Sequence, residues 1–383
     1  MFFSIAFTVI LIIVTLLILV VIHEMGHYLA AKKFNIKVLE FGFGIPPRAW
    51  GKKIGETIYS LNWLPLGGFV RLLGEDEVDK AVLENERSFA AASVSKRIVV
   101  ALAGVVMNLF LAWVLFYLVL VSSGFKTQFP KLFDHQFIGA KYSTEKMVII
   151  NDVAKNSPAK SAGLKVGERI IAINDKFIKD DLDFIKKVKE NAGKKITLTT
   201  SDIKQTKFKR LDLTPRVNPP KDEGALGVGI GYLEAYNLEY REDWQKTLAG
   251  PIHSVNIATY TFNILSKTIS MSLVKKDIAP LSQSVGSPIA IGFISYEILQ
   301  ESNPIIPYLE LVALISLSLA IFNILPIPAL DGGRLFFLFV EALTRKKINP
   351  SFERVVHNIG MIVLLILFFL VIQKDINQFI LRR

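Results

Sequence analysis

The stretch "HEMGH" sets His23, Glu24 and His27 within five residues of one another. On a helix, positions i and i+4 lie about 40° apart in projection, so His23 and His27 leave the same face. Two imidazoles so placed can grip a zinc ion, and Glu24 beside them can take a proton from zinc-bound water. The chain contains no cysteine. That excludes thiol catalysis, disulfides and thiolate metal sites, so a metal here must be held by histidine and carboxylate. Catalytic zinc sites keep three protein ligands and one open position, which leaves one ligand to find. His135, His253 and His357 are the remaining histidines, and the first two fall in the long middle segment of the chain. Asp331, within "NILPIPALDGGRL", is the better candidate. Pro326 and Pro328 break a helix before it, Gly332 and Gly333 permit a turn after it, and the carboxylate can be aimed inward.

The histidines close an apolar run of about twenty residues, long enough to cross a bilayer, where polar side chains are costly and need a compensating interaction. With 51% hydrophobic residues and a formal charge of +11, the chain fits neither an ordinary soluble enzyme nor a disordered protein. Its Lys and Arg residues are spread along the chain and many lie beside apolar spans, a pattern of membrane topology; no nucleic-acid partner is expected. The N-terminal run lacks a basic leader and is too long for a signal peptide, so it reads as a retained span. Threading four spans alternately puts the clusters Lys32, Lys33, Lys37, then Lys96, Arg97, then Arg345, Lys346, Lys347 on one side, the cytoplasmic one. Lys374, Arg382 and Arg383 weakly oppose this. "HEMGH" and Asp331 then fall at the same end of their spans, which brings the third ligand to the pair.

Between the first two spans, "EFGFGIPPRAWGKKIGETIYSLNWLPLGGFVRLL" alternates apolar and polar residues among Gly and Pro, the pattern of β-hairpins. Its tip "WLPLGGF" suggests a region that dips into the membrane surface, against the alternative of a plain cytoplasmic loop. Further on, "MVIINDVAKNSPAKSAGLKVGERIIAINDKFI" and "DLDFIKKVKENAGKKITLTT" read as strand, short helix, turn, strand, helix, strand. This resembles a PDZ domain of the kind attached to bacterial proteases, whose "SAGLKVGE" loop lies beside a groove for an extended peptide or C-terminus. A spacer is the alternative. The expected class is an α-helical integral membrane protein with four transmembrane helices, a membrane-associated β-hairpin region and an inserted extracytoplasmic α+β PDZ domain. Its parts are a first helix over 1–31, the hairpin region over 32–96, a second helix over 97–122 and the PDZ domain over 147–217. An amphipathic connecting segment follows over 218–304, then a third helix with the LDG motif over 305–334 and a fourth over 353–373.

"HEMGH" in the first span, "NILPIPALDGG" in the third and a PDZ domain between the second and third resemble the site-2 protease family of intramembrane metalloproteases, and within it the bacterial RseP-type branch. "FGFG", "PLGGFVRLLGE" and "GSPIAIG" extend the likeness over nearly the whole chain. The resemblance implies zinc held by His23, His27 and Asp331, Glu24 as the base, and a role for Asn323 in handling substrate. It implies single-span membrane proteins as substrates, such as anti-sigma factors or remnant signal peptides, in the bacterial cytoplasmic membrane. One departure is that many relatives in Gram-negative bacteria carry two PDZ domains and this sequence shows one. Since hydrolysis needs an unwound backbone, the hairpin edge at Phe69 and Val70 and the helix-breaking Pro326 and Pro328 are expected to hold substrate extended. An ion or proton transporter would also keep acids and histidines in its spans, but the chain shows no inverted repeat. A silent scaffold is the other rival, and no part of the metal motif is missing.

Overall fold

The computed structural model describes residues 2–75, 79–202, 208–277, 279, 281 and 286–381. A hydrocarbon layer about 30 Å thick takes about 20 helical residues at 1.5 Å each. Among the described residues four helices are long and apolar enough to cross it: Ile5–Lys33, Val94–Ser122, Ile305–Ile324 and Pro350–Phe379. The chain divides into two compact units, one of Met1–Gly124 with Lys246–Arg383 and one of Phe125–Gln245.

The first unit opens with helix α1 (Phe2–Lys33), strands β1 (Val38–Ile54) and β2 (Thr57–Leu72), and helix α2 (Val94–Ser122). A cluster of Ala31, Ile36, Val38, Leu72, Phe89 and Val100 fastens the end of α1, the strands and α2 together. Rather than several short hairpins, β1 and β2 form one pair that bends back on itself. Glu40, Phe41, Gly42 and Phe43 of β1 are flanked on one side by Ile58–Leu61 and on the other by Gly68–Arg71, both from β2.

A single buried carboxylate ties this arrangement. Glu40 accepts hydrogen bonds from Arg48 Nη2 (2.6 Å), Ser60 Oγ (2.7 Å) and Arg71 Nη2 (3.2 Å), one group from each of the other three strand segments. Burial alone would raise the Glu40 carboxyl; the hydrogen bonds from Ser60 and Arg48 and the two guanidinium charges outweigh it and hold it below the ordinary carboxylate range. A carboxyl depressed in the folded state adds stability above its unfolded value, ordinarily 4.5, and loses it as pH falls through the folded one. Glu56, between Lys32 and Arg87, is held down to about 2 by hydrogen bonds from Arg87 and Lys32 and shifts stability in the same direction. Its side chain is 30% exposed, against 6% for Glu40, so solvent screens it more. Hydrogen exchange of the β1–β2 amides, corrected for intrinsic rates, should therefore quicken below about pH 4.5. Glu40→Gln should flatten that dependence. An unchanged profile in the variant would mean that the carboxylate does not govern the hairpin.

The second unit carries strands β3 (Lys126–Pro130) and β4 (Lys141–Val153), helix α3 (Pro158–Ser161), strands β5 (Arg169–Ile173) and β6 (Lys176–Phe177), and helix α4 (Asp181–Glu190). Strands β7 (Ile196–Ser201), β8 (Phe208–Leu213) and β9 (Val228–Glu239) complete a seven-stranded sheet in the order β3-β9-β4-β5-β7-β8, with β6 on β5. The Ser157 side chain caps α3 ahead of Pro158, and Asp180 caps α4 by accepting from the Asp183 amide at 2.8 Å. Phe184 and Val188, one turn apart on α4, enter a core with Val148, Ile150, Ile170, Ile196, Leu198 and Leu226. The unit extends beyond residues 147–217 at both ends. Most of its added pairing comes from β9, which lies where a connecting amphipathic segment is expected and pairs with β4 along its whole length. On its other edge β3 covers only Ala235–Glu239, so Val228–Leu233 has no partner strand there among the described residues.

The first unit resumes with helices α5 (Ala249–Lys275), α6 (Pro288–Leu299), α7 (Ile305–Ile324), α8 (Asp331–Thr344) and α9 (Pro350–Ile376). Helix α5 turns His253, Ser254 and Asn256 inward, and the His253 ring meets Phe116 of α2 edge-on at 5.0 Å. Its buried stripe mixes small and polar residues with Ile257 and Tyr260, so hydrophobic pattern alone does not reveal its packing. The expected third span over 305–334 is two helices, α7 and α8, separated at Leu325–Leu330. Helix α8 is held to the base of α2 by a buried two-pronged ion pair, Arg97 to Glu341, at 2.5 and 3.0 Å.

Candidate metal centre

Helix α1 presents His23 and His27 toward α2, and the helices approach closely there because two glycines face each other's neighbours. A Cβ at Gly26 would collide with the backbone of Ala103 and Gly104, and one at Gly104 would fall 2.6 Å from His23 Nε2 and closer still to His27 Nε2. Helix α8 brings Asp331 from the other direction at its first residue. The left-handed residue of the turn before it is Ala329, with φ 75°, rather than either glycine. Gly332 and Gly333 serve instead for close approach: a Cβ on them would strike the carbonyl oxygens of Leu325 and Ile327. The Ala329 amide is held by His357 Nδ1 of α9 at 2.9 Å, which gives that histidine a part in shaping the turn.

The three side chains converge. Asp331 Oδ2 lies 2.8 Å from His23 Nε2 and 3.3 Å from His27 Nε2, and the two Nε2 atoms are 3.2 Å apart. Metal–ligand bonds of about 2.0–2.1 Å in tetrahedral directions separate ligand atoms by about 3.3 Å, so two of these three distances already match a zinc tetrahedron. His27 Nδ1 donates to the Val100 carbonyl at 2.8 Å, which leaves the Nε2 lone pair for a metal. All three residues offer ligand atoms within 4.8 Å of one another, and among the described residues no other group of three or more His, Asp or Glu side chains does so. His135 and His253 are placed elsewhere, the latter on Phe116.

Two cavities adjoin the cluster. One of about 340 Å³ is lined by Glu24, His27, Phe69, Val70, Glu75, Asp331 and Arg334 among others. A smaller one of about 200 Å³ touches His23, Glu24, Asn108, Leu319, Asn323 and Asp331. Glu24 borders both. Thus Phe69, Val70 and Asn323 are brought to the cluster, whereas Pro326 and Pro328 lie in the break between α7 and α8 and line neither cavity. An ion pair between Glu75 and Arg334 borders the larger cavity. Sequence reasoning missed Asn108, a buried amide in the run "GVVMNLFLAW"; an uncharged polar residue inside an apolar span was the available signal. Nothing in the sequence marks the Glu75–Arg334 pair, whose members are far apart in the chain.

Peptidase family M50 matches residues 11–367. A putative zinc metalloprotease of Rickettsia conorii is 30% identical over 378 residues, covering 96% of this chain and 97% of that protein. Another from Clostridium perfringens is 32% identical over 361 residues, covering 94% and 95%. The Bacillus subtilis protein named regulator of sigma-W protease RasP is 28% identical over 448 residues, covering 97% and 98%. With near-complete coverage in both directions, four spanning helices and a convergent His, His, Asp cluster, the chain belongs to peptidase family M50, the site-2 protease family, and is a membrane zinc metalloprotease.

Proposed function

We propose that this enzyme hydrolyses peptide bonds within or near the transmembrane segments of single-span proteins, with His23, His27 and Asp331 holding zinc and Glu24 as general base. The observation that carries the reading is the convergence of these four side chains beside a strand edge, three of them on the first spanning helix and Asp331 at the first residue of α8, past the end of the third. Zinc in such a site polarises the scissile carbonyl and acidifies a bound water. Glu24 would accept a proton from the attacking water and return it to the leaving amine. The edge of β2 at Phe69 and Val70 holds the unwound substrate backbone by strand addition, and Asn323 hydrogen-bonds it from the smaller cavity. Pro326 and Pro328 shape the break that opens this side of the site. Exposed Trp50, Trp63 (72% exposed) and Leu64 on the hairpin suit a membrane surface.

The unit Phe125–Gln245 acts in this reading as a PDZ domain on the outer side of a bacterial cytoplasmic membrane, with the metal site toward the cytoplasm. Its open β9 edge at Val228–Leu233 offers main-chain hydrogen bonds to a peptide or an exposed C-terminus. Substrates are then proteins already trimmed outside, anti-sigma factors or remnant signal peptides, cut in regulated intramembrane proteolysis. The name of the Bacillus subtilis relative, a regulator of sigma-W, favours the first of these.

The test uses zinc-loaded enzyme in lipid bilayers with one single-span substrate, full-length and trimmed, and a variant whose residues 125–245 are replaced by a flexible linker. Intact enzyme should cut the trimmed form. The variant should still cut it, with weaker binding if the domain captures termini, and should begin to cut the full-length form if the domain excludes bulk. No cleavage of any single-span substrate by zinc-saturated enzyme would sink the reading. Equal ratios of the two rates in both enzymes would sink the selective role of the domain.

A further inference from the structure

One turn beyond Gly104 on α2, Asn108 is fully buried beside the metal cluster, and its backbone carbonyl accepts from Ser316 Oγ of α7 at 2.8 Å. Its side-chain nitrogen lies 3.3 Å from His23 Nδ1, while its Oδ1 is buried with no hydrogen-bond partner. An amide that donates to Nδ1 puts the imidazole proton on Nε2, where Asp331 Oδ2 at 2.8 Å can accept it. That tautomer cannot bind a metal through Nε2. A ligating His23 must carry its proton on Nδ1 and needs an acceptor there. Rotating the Asn108 amide by half a turn provides one, since its oxygen and nitrogen exchange places with little change in shape. The rotation only changes which amide atom lacks a partner, so no hydrogen bond is lost.

We propose that Asn108 is a positioning residue that sets the tautomer of His23, its oxygen accepting the Nδ1 proton once Nε2 is committed to the metal. It does for His23 what the Val100 carbonyl does for His27. The difference is that a backbone carbonyl accepts only, whereas an amide can serve either tautomer by turning over. The inference rests on the reading of His23 as a ligand.

The experiment measures zinc affinity by chelator competition, the visible spectrum of the cobalt-substituted protein and the melting of the metal-free protein, in the full chain. The variants are Asn108→Leu, Asn108→Ala, Asn108→Asp and His23→Ala. Asn108→Leu keeps the volume and removes the acceptor; it should weaken zinc binding by about 10–100-fold and alter the cobalt spectrum, with metal-free melting preserved. Asn108→Asp, an acceptor of the same shape, should stay near the parent affinity. If leucine is not accommodated, Asn108→Ala against Asn108→Asp gives the same comparison. Parent-like affinity and spectrum in both Asn108→Leu and Asn108→Ala overturn the proposal, as does an equal loss in Asn108→Asp. Retention of zinc by His23→Ala overturns the ligand reading itself, a distinct failure.

Discussion

Glu24→Gln leaves zinc content at the parent level and lowers peptide turnover by about 10²–10⁴-fold. The substitution is nearly isosteric. The His and Asp side chains that converge nearby are untouched, so metal binding has no reason to change. The amide cannot take a proton from water or deliver one to the departing nitrogen, so both transfers lose their carrier. Metal analysis and turnover on the same preparation check this. Substantial activity in a zinc-replete variant would show that the base lies elsewhere.

Asp331→Ala should show the opposite signature, with zinc and activity falling together. Asp331 Oδ2 is the atom that both Nε2 atoms share, at 2.8 and 3.3 Å, and alanine leaves two protein groups where a catalytic zinc site ordinarily has three. The loss of affinity should exceed the about 10–100-fold typical of an outer partner of a ligand. Asp331 also opens α8, where a negative charge favours the helix by about 0.3–1 kcal/mol, so some loss of stability accompanies the loss of metal. Asp331→Asn restores part of the helix start without restoring a charged ligand. Full occupancy at unchanged affinity in Asp331→Ala would remove it from the metal site.

What could be read from sequence follows how local the physics is. His23 and His27 were legible as a pair because helical periodicity fixes their common face within one turn, and Asp331 because prolines and glycines mark a broken helix. The form of the break was not legible: Ala329 takes the left-handed conformation while Gly332 and Gly333 serve close packing, and only the fold tells which. The bent hairpin depends on Glu40 meeting groups 8, 20 and 31 residues away, and β9 depends on pairing with a strand far back in the chain. The alternation of the hairpin segment marks its strands but not the bend, and the pairing of β9 leaves no local trace. Asn108 is intermediate, visible as a polar residue in an apolar span but silent about which histidine it meets.

The contact of α1 with α2 also bears on heredity. At Gly26 the obstacle to any side chain is main chain, the Ala103 carbonyl and the Gly104 amide, which every residue type carries alike. At Gly104 the obstacle is His23 and His27, the two imidazoles of the candidate metal site. A suppressor screen started from Gly26→Ala therefore has no neighbouring side chain to shrink, and one started from Gly104→Ala could make room only by giving up the imidazoles. Revertants at both positions should be dominated by the return of glycine itself, so the two codons act as a fixed point around which the rest of the interface can drift.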